Sequence, residues 1–306
     1  MKGYATVCTI GEGKRSHLRV TAVGGYLAAG WSKKGCMVWR QKMVWAGWRS
    51  SLLIALLAIT CGTCAGAWAQ TDCSAGNDVL DTAEPKGIAI PDLIAKFTAG
   101  EDRARDARLH YTYTQDVLVQ TLSGNQPDGQ WHQVSTISYD KGKRMENVTF
   151  SEVSTLRGVQ MSAEDMDDIK VFMPWLLTSE EARQYDLKYA GQQHVDDLDT
   201  FVFLVEPKKY EKNQRYFQGR VWVDNHDLQV VKLCGKSVPE IRPKKKKDPQ
   251  EIRPTFATWR QFVEGNWLPA YSRVDDDLHF SAQTIHIKEV VKFTGYKKAG
   301  DEAKKP

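Results

Sequence analysis

The chain has 306 residues, with 42 Lys+Arg against 38 Asp+Glu, a formal net charge of +4. The excess is local: nine basic residues and one acid, Glu12, precede Gln70, which leaves 33 basic and 37 acidic residues, or −4, from Gln70 onward. A nucleic-acid-binding domain carries its basic face on the folded body, and this body is acidic, so that class is excluded. An apolar share of 42% with 26% charged residues excludes wholesale disorder.

Leu52-Leu-Ile-Ala-Leu-Leu-Ala-Ile59 is an uninterrupted apolar run with Arg49 before it and Ala67-Trp68-Ala69 after it. A basic start, a short apolar centre and an A-x-A end describe a secretory signal peptide. The run meets Thr60, Cys61, Gly62 and Thr63 well short of the ~20 apolar residues that a spanning helix needs. Residues 43–69 are therefore read as a signal cut between Ala69 and Gln70, leaving a soluble periplasmic protein. Residues 1–42 show no clear hydrophobic period and are read as a non-structural extension, from a start placed too far upstream or a long basic leader. Cys8, Cys36, Cys61 and Cys64 precede the cut. The exported body keeps Cys73 and Cys234, and whether they pair is open.

Gln70 to Ala89 reads as a flexible tail, rich in Asp, Gly, Ser and Thr. A helix opens at Pro91, with Leu93, Ile94 and Phe97 on one side. Gly100 weakens its end, and Glu101 to Arg108 reads as a solvated charged stretch. From Leu109 the period becomes two, with Tyr111, Tyr113, Val117 and Val119 alternating with polar residues. Gly124 to Gly129 is a turn, Trp131 to Tyr139 a strand, Asp140-Lys-Gly142 a hairpin turn and Lys143 to Phe150 a returning strand. A helical insertion follows, capped by Ser162 with Asp165 in the capping-box position. Met166, Ile169, Val171, Phe172, Met173 and Trp175 make it apolar, and Pro174 breaks it. A short helix is expected from Ser179.

The remainder is β again. Tyr185 to Tyr189 leads to a turn at Ala190-Gly191, Thr200 to Glu206 is a strand, and Gly219 to Asp224 pairs with Leu228 to Leu233. A Pro/Lys loop then runs from Ser237 to Pro254. Thr255 to Glu264 and Trp267 to Val274 form a hairpin, with Asp275-Asp-Asp277 as a polar strand end. Gln283 to Phe293 closes the domain at about residue 296, and 297–306 is a charged tail. This predicts about ten strands in hairpin order without βαβ alternation. The expected fold is a single curved antiparallel sheet forming a half-open β-barrel, with an N-terminal helix and a helical lid over residues 91–296.

Chemistry is scarce. No Gly-x-Ser-x-Gly elbow and no His-Glu-x-x-His occurs. His110, His132, His194, His226, His279 and His286 have no ligand spacing and read as exposed strand or turn residues. Asp224-Asn-His-Asp227 and Asp275 to Asp277 lack the alternate ligands and central Gly of a calcium loop. No catalytic residue, metal or cofactor is expected. Lys244, Lys245, Lys246 and Lys247 read as a solvated loop, with contact to an anionic membrane surface as the alternative.

Two local motifs carry a resemblance. Tyr185-Asp-Leu-Lys-Tyr-Ala-Gly191 through Thr200-Phe-Val-Phe-Leu-Val-Glu-Pro207, and Phe217-Gln-Gly-Arg-Val-Trp-Val-Asp224 followed by Leu228-Gln-Val-Val231, resemble passages of the LolA/LolB-like superfamily. The resemblance covers about Pro91 to Gly295. It implies a half-open barrel with a helical lid over an apolar cavity, and a carrier of lipids or acylated lipoproteins in the envelope.

Parity then assigns a trough. On the closing strand Ile285, Ile287, Val291 and Phe293 share one face, interrupted by Glu289. Phe201, Phe203 and Val205 share a face, as do Val221 and Val223, Val231 and Leu233, and Tyr111, Tyr113 and Val117. Met166, Ile169, Phe172 and Met173 are expected to form the lid. The expected protein is a non-enzymatic carrier holding acyl chains. The alternative is a structural or interaction module whose trough is filled by its own side chains. An apolar cavity of several hundred Å³ would favour the first, and two carboxylates facing each other in a cleft would favour a hydrolase.

Overall fold

The computed structural model describes residues 28–31 and 37–40, Thr71, Cys73, residues 78–240 and residues 252–299. The signal segment and Lys244 to Lys247 lie outside the described residues. The chain divides into two compact units, Met1–Ala67 and Trp68–Pro306. In the first, β1 (Ala28–Trp31) and β2 (Met37–Arg40) pair antiparallel.

In the second unit α1 (Ile90–Arg108) precedes ten strands: β3 (Tyr111–Ser123), β4 (Gln126–Asp140), β5 (Lys143–Ser151), β6 (Tyr185–Val195), β7 (Leu198–Pro207), β8 (Tyr216–Asp224), β9 (Val230–Val238), β10 (Phe256–Val263), β11 (Asn266–His279) and β12 (Thr284–Lys298). They form one sheet in the order β5-β4-β3-β12-β11-β10-β9-β8-β7-β6, antiparallel throughout. β3 and β12, the first and last strands of this unit, are neighbours, and the two edges of the sheet, the seam of the half-open barrel, are β5 and β6. The chain between them, residues 152–184, carries the helical insertion: α2 (Ala163–Asp167), a π turn (Asp168–Phe172) and a 3-10 turn (Glu181–Gln184).

α1 outruns its sequence reading. It continues through Gly100 to Arg108, and Glu101 is wholly buried rather than solvated. The reason lies across the sheet. Arg260 of β10 meets Glu101 bidentately at 2.7 and 3.0 Å, and Glu101 also accepts from the Leu177 amide. A buried carboxylate is tolerated only when paired and hydrogen-bonded in this way. Phe97 packs on Phe203 with ring centroids 5.1 Å apart, which fixes the helix on the inner face of the sheet.

Several boundaries also move. Ala190-Gly191 is not a turn: β6 runs on to Val195, with an irregularity of register at Gly191, where the tail crosses it. Asp81 pairs with Gln192 there, and a Cβ on Gly191 would collide with the Asp81 carbonyl. β11 extends through Asp275 to Asp277 to His279, because β12 pairs with it along that whole length.

The outer face has its own apolar layer, of Val195, Val202, Trp222, Val231, Cys234 and Ala257. Lys232 lies over the rings of Trp222 and Trp259 at 4.8 and 5.1 Å. Cys73 and Cys234 form a disulfide with Cα atoms 5.3 Å apart. Gln70 to Ala89 is therefore tied down where it is described. The Thr71 amide donates to Asp275 of β11, Cys73 is bonded to β9, and Asp81 pairs with β6.

Candidate inner-face site

Most of the parity-assigned residues share one inner cluster. Tyr113, Val117, Phe201, Phe203, Val205, Val221, Val223, Leu233, Ile287, Val291 and Phe293 are buried in it together with Leu93 and Phe97 of α1. Tyr111 sits in a separate cluster with Ala104, Leu176 and Leu268. Its hydroxyl donates to Glu264. Ile285 is buried without joining the inner cluster, close to where Gly158 passes. Val231 is misassigned. An irregularity between Trp222 and Val223 pairs Trp222 with Lys232 and Val223 with Val230, so Val231 is the extra residue and joins the outer layer.

The four lid residues divide into two groups. Phe172 and Met173 begin a run, 172–178, that is buried at every residue. This run is pinned from several sides: Thr258 donates to the Met173 carbonyl, Arg260 to that of Trp175 and Arg108 to that of Pro174. Trp175 stacks on Phe217 at 4.7 Å. Met166 and Ile169 belong to the preceding turns, which form a flap. Ser162 caps the flap, and a full capping box with Asp165 starts α2, as the sequence spacing predicts. The chain then widens into the π turn, where the Met173 amide reaches the Asp168 carbonyl. Ile169 is buried on the sheet, while Val171 is 54% exposed.

Ion pairs hold the flap. Arg253, just before β10, donates to Asp165 and Asp168, both at 2.9 Å. Arg215, just before β8, reaches Asp168 at 2.6 Å. Lys170 meets Glu146 of β5 at 2.8 Å. Burial pulls the Glu146 carboxyl up, but Lys170 and Arg144 outweigh it and hold it below the usual range.

Between flap and sheet lies a cavity of about 30 Å³, lined by Asp165, Asp168, Arg253 and Glu289 with Ile169, Met173 and Phe256 among its apolar walls. That is room for one or two waters, not the several hundred Å³ of an open trough. Glu289 is 8% exposed, and no hydrogen bond or ion pair engages it among the described residues. Burial, with Asp165 and Asp168 adding to it, pushes its carboxyl up to about 8. Burial also pushes Asp168 up to about 6, against the pull of Arg253 and Arg215. The sequence carried one signal of this site, a Glu placed at an apolar parity position.

His286 also departs from its sequence reading. It is buried between Asp275 and Asp277, with Nε2 and Nδ1 at 2.8 and 2.7 Å from the two carboxylates. Asp224, His226 and Asp227 bring ligand atoms within 4.8 Å of one another, but His226 and Asp227 are exposed. The Asp224 carboxylate accepts the His226 and Asp227 amides, which is turn chemistry.

No protein-family model and no curated protein matches the sequence. Solved structures do. This chain is similar to a DUF1329 family protein from Desulfovibrio piger at 15% identity and a TM-score of 0.34, covering 67% of this chain and 94% of that one. It is similar to a LolA superfamily protein from Nitrosomonas europaea at 10% identity and a TM-score of 0.32, covering 69% and 98%. A domain of an outer membrane lipoprotein-sorting protein from Vibrio parahaemolyticus matches at 12% identity and a TM-score of 0.32, covering 66% and 92%. The half-open barrel with its helical insertion is read from the sheet order itself. Among the described residues no helix is long and apolar enough to cross a membrane.

Proposed function

We infer that the protein is an exported, non-enzymatic carrier that holds an acyl chain of a lipid or lipoprotein between its flap and its sheet. One observation carries this reading: the insertion is built in two parts with different fastenings. Residues 172–178 are locked by buried hydrogen bonds, whereas Met166 and Ile169 lie on the apolar inner face under a flap closed by ion pairs at its rim. Of these pairs Arg215 with Asp168 and Lys170 with Glu146 keep partial access to solvent and are the weaker fastenings, whereas Arg253 is buried and its pairs hold more strongly. An acyl chain that displaces Met166 and Ile169 replaces their apolar contacts with its own, at little net cost. The small cavity describes the closed state.

The same cavity supports the second reading, a module filled by its own core. The facing carboxylates favour hydrolysis less. Asp165 and Asp168 are engaged by arginines, and the space they face holds a water or two.

The test is uptake of a fluorescent acyl ester with an uncharged head. The carrier reading expects saturable binding by the wild type and tighter binding by Arg215→Ala, because opening the flap becomes easier. Absence of uptake by either protein, with only a lower melting temperature for the variant, would sink the carrier and leave the filled core.

A further inference from the structure

The inner face is apolar except where Glu289 interrupts it. It is an uncompensated acid lining a small cavity, which it shares with the two acids of the flap. Around that space are three carboxylates, Asp165, Asp168 and Glu289, but only Arg253 lines it as a cation, and Arg215 reaches Asp168 from outside. With every group ionised, the cluster of three acids and two arginines carries one negative charge too many. Both aspartates already have guanidinium partners. Glu289 has none, and the empty site can hold it only as the neutral acid.

A buried acid left without a partner, aimed into a space beside an apolar trough, fits one kind of visitor. A carboxylate or phosphate head would add a negative charge beside two aspartates that already take up both guanidinium groups, and would find no free cation there. A hydroxyl could donate to Glu289 but would leave the charge pattern unused. A primary ammonium is about the size of a water, fits about 30 Å³, and supplies the missing positive charge. A trimethylammonium is too large for that space. Ile169, Met173 and Phe256 line the same cavity, so a chain attached to the nitrogen continues onto apolar surface.

We propose that this cavity is a head-group site for a primary amine on a long alkyl chain, with Glu289 as the counter-ion and Asp165 and Asp168 as the acids that exclude anionic heads. The proposal rests on the carrier reading. Proton balance follows from the pairing: at pH 7 the amine arrives as ammonium, the Glu289 proton leaves to solvent, and the bound pair is ammonium and carboxylate. The flap's arginine pairs are retained.

The experiment is titration calorimetry of the full chain with dodecylamine, dodecanol and dodecanoate at pH 7, each below its micelle threshold, in two buffers of different ionisation enthalpy. Dodecylamine is expected to bind about tenfold or more tightly than dodecanol, the discrimination of one desolvated charged hydrogen bond, with dodecanoate weakest. About one proton should be released per amine bound, and none with dodecanol. Glu289→Gln should lose both the amine preference and the proton release while still binding dodecanol. Its fold is checked by near-ultraviolet circular dichroism. The three ligands on the wild type also decide the matter without the variant. Binding of all three with equal affinity, or a preference for dodecanoate, overturns the amine site and leaves the carrier standing. Failure of all three to bind overturns both.

Discussion

Replacing Glu289 by Gln should stabilise the protein, and by an amount that depends on pH. The carboxyl is pushed up to about 8 in the fold from an ordinary 4.5. Below pH 4.5 it is protonated in both states and contributes no difference. Between 4.5 and 8 the unfolded chain has lost the proton and the folded one keeps it. The unfolded state then binds fewer protons, so stability falls as pH rises. Above 8 the loss is complete. The interval of 3.5 pH units, at about 1.36 kcal/mol each, comes to about 5 kcal/mol as an upper limit. Gln has nearly the same shape and no charge, so the variant should lack this slope. Asp168, raised to about 6, gives a slope of its own that ends near that pH. It is present in both proteins and largely cancels in their difference. The assay is urea unfolding followed by tryptophan fluorescence at pH 5, 6.5, 8 and 9. The variant should gain progressively on the wild type up to pH 8 and no further. A difference that stays flat from pH 5 to pH 8 would refute the claim that Glu289 is buried without a partner.

Three further outcomes are expected. Arg260→Met should cost about 3–5 kcal/mol in urea unfolding, because Glu101 is left buried and charged, and adding Glu101→Leu should recover most of the loss. Reduction of Cys73–Cys234 releases a loop with a sequence separation of 161, worth about 5 kcal/mol by chain entropy, so the melting temperature in reductant should fall well below that of the oxidised protein. Gly191→Ala should cost about 1–3 kcal/mol and raise hydrogen exchange at the Asp81 and Gln192 amides, because the new methyl group and a φ of +145° both work against the tail's pairing.

β3 was legible because it alternates with period two against a single apolar face through nearly its whole length. Where two faces are covered, parity loses its meaning. Phe201, Val202 and Phe203 are all buried, since β7 lies between the inner cluster and the outer layer. Val231 was lost for a related reason: one inserted residue reverses every assignment before it, and nothing in Leu228 to Leu233 marks the insertion. Glu101 looked like part of a charged run because its partner, Arg260, lies 159 residues away. His286 reads as exposed in the sequence because the acids on either side of it come from the neighbouring strand. The capping box of Ser162 and Asp165 was readable because it is complete within four residues.

The strap formed by the N-terminal tail has a mechanical consequence. Thr71, Cys73 and Asp81 meet β11, β9 and β6 in turn, so the tail runs across the strands rather than along them. A pull on the chain from its N-terminal side does not peel α1 or β3 first. It reaches the disulfide and is delivered at Cys234 into β9, which has neighbours on both sides. The load is shared across hydrogen-bonded ladders in the middle of the sheet, away from the seam beside β5.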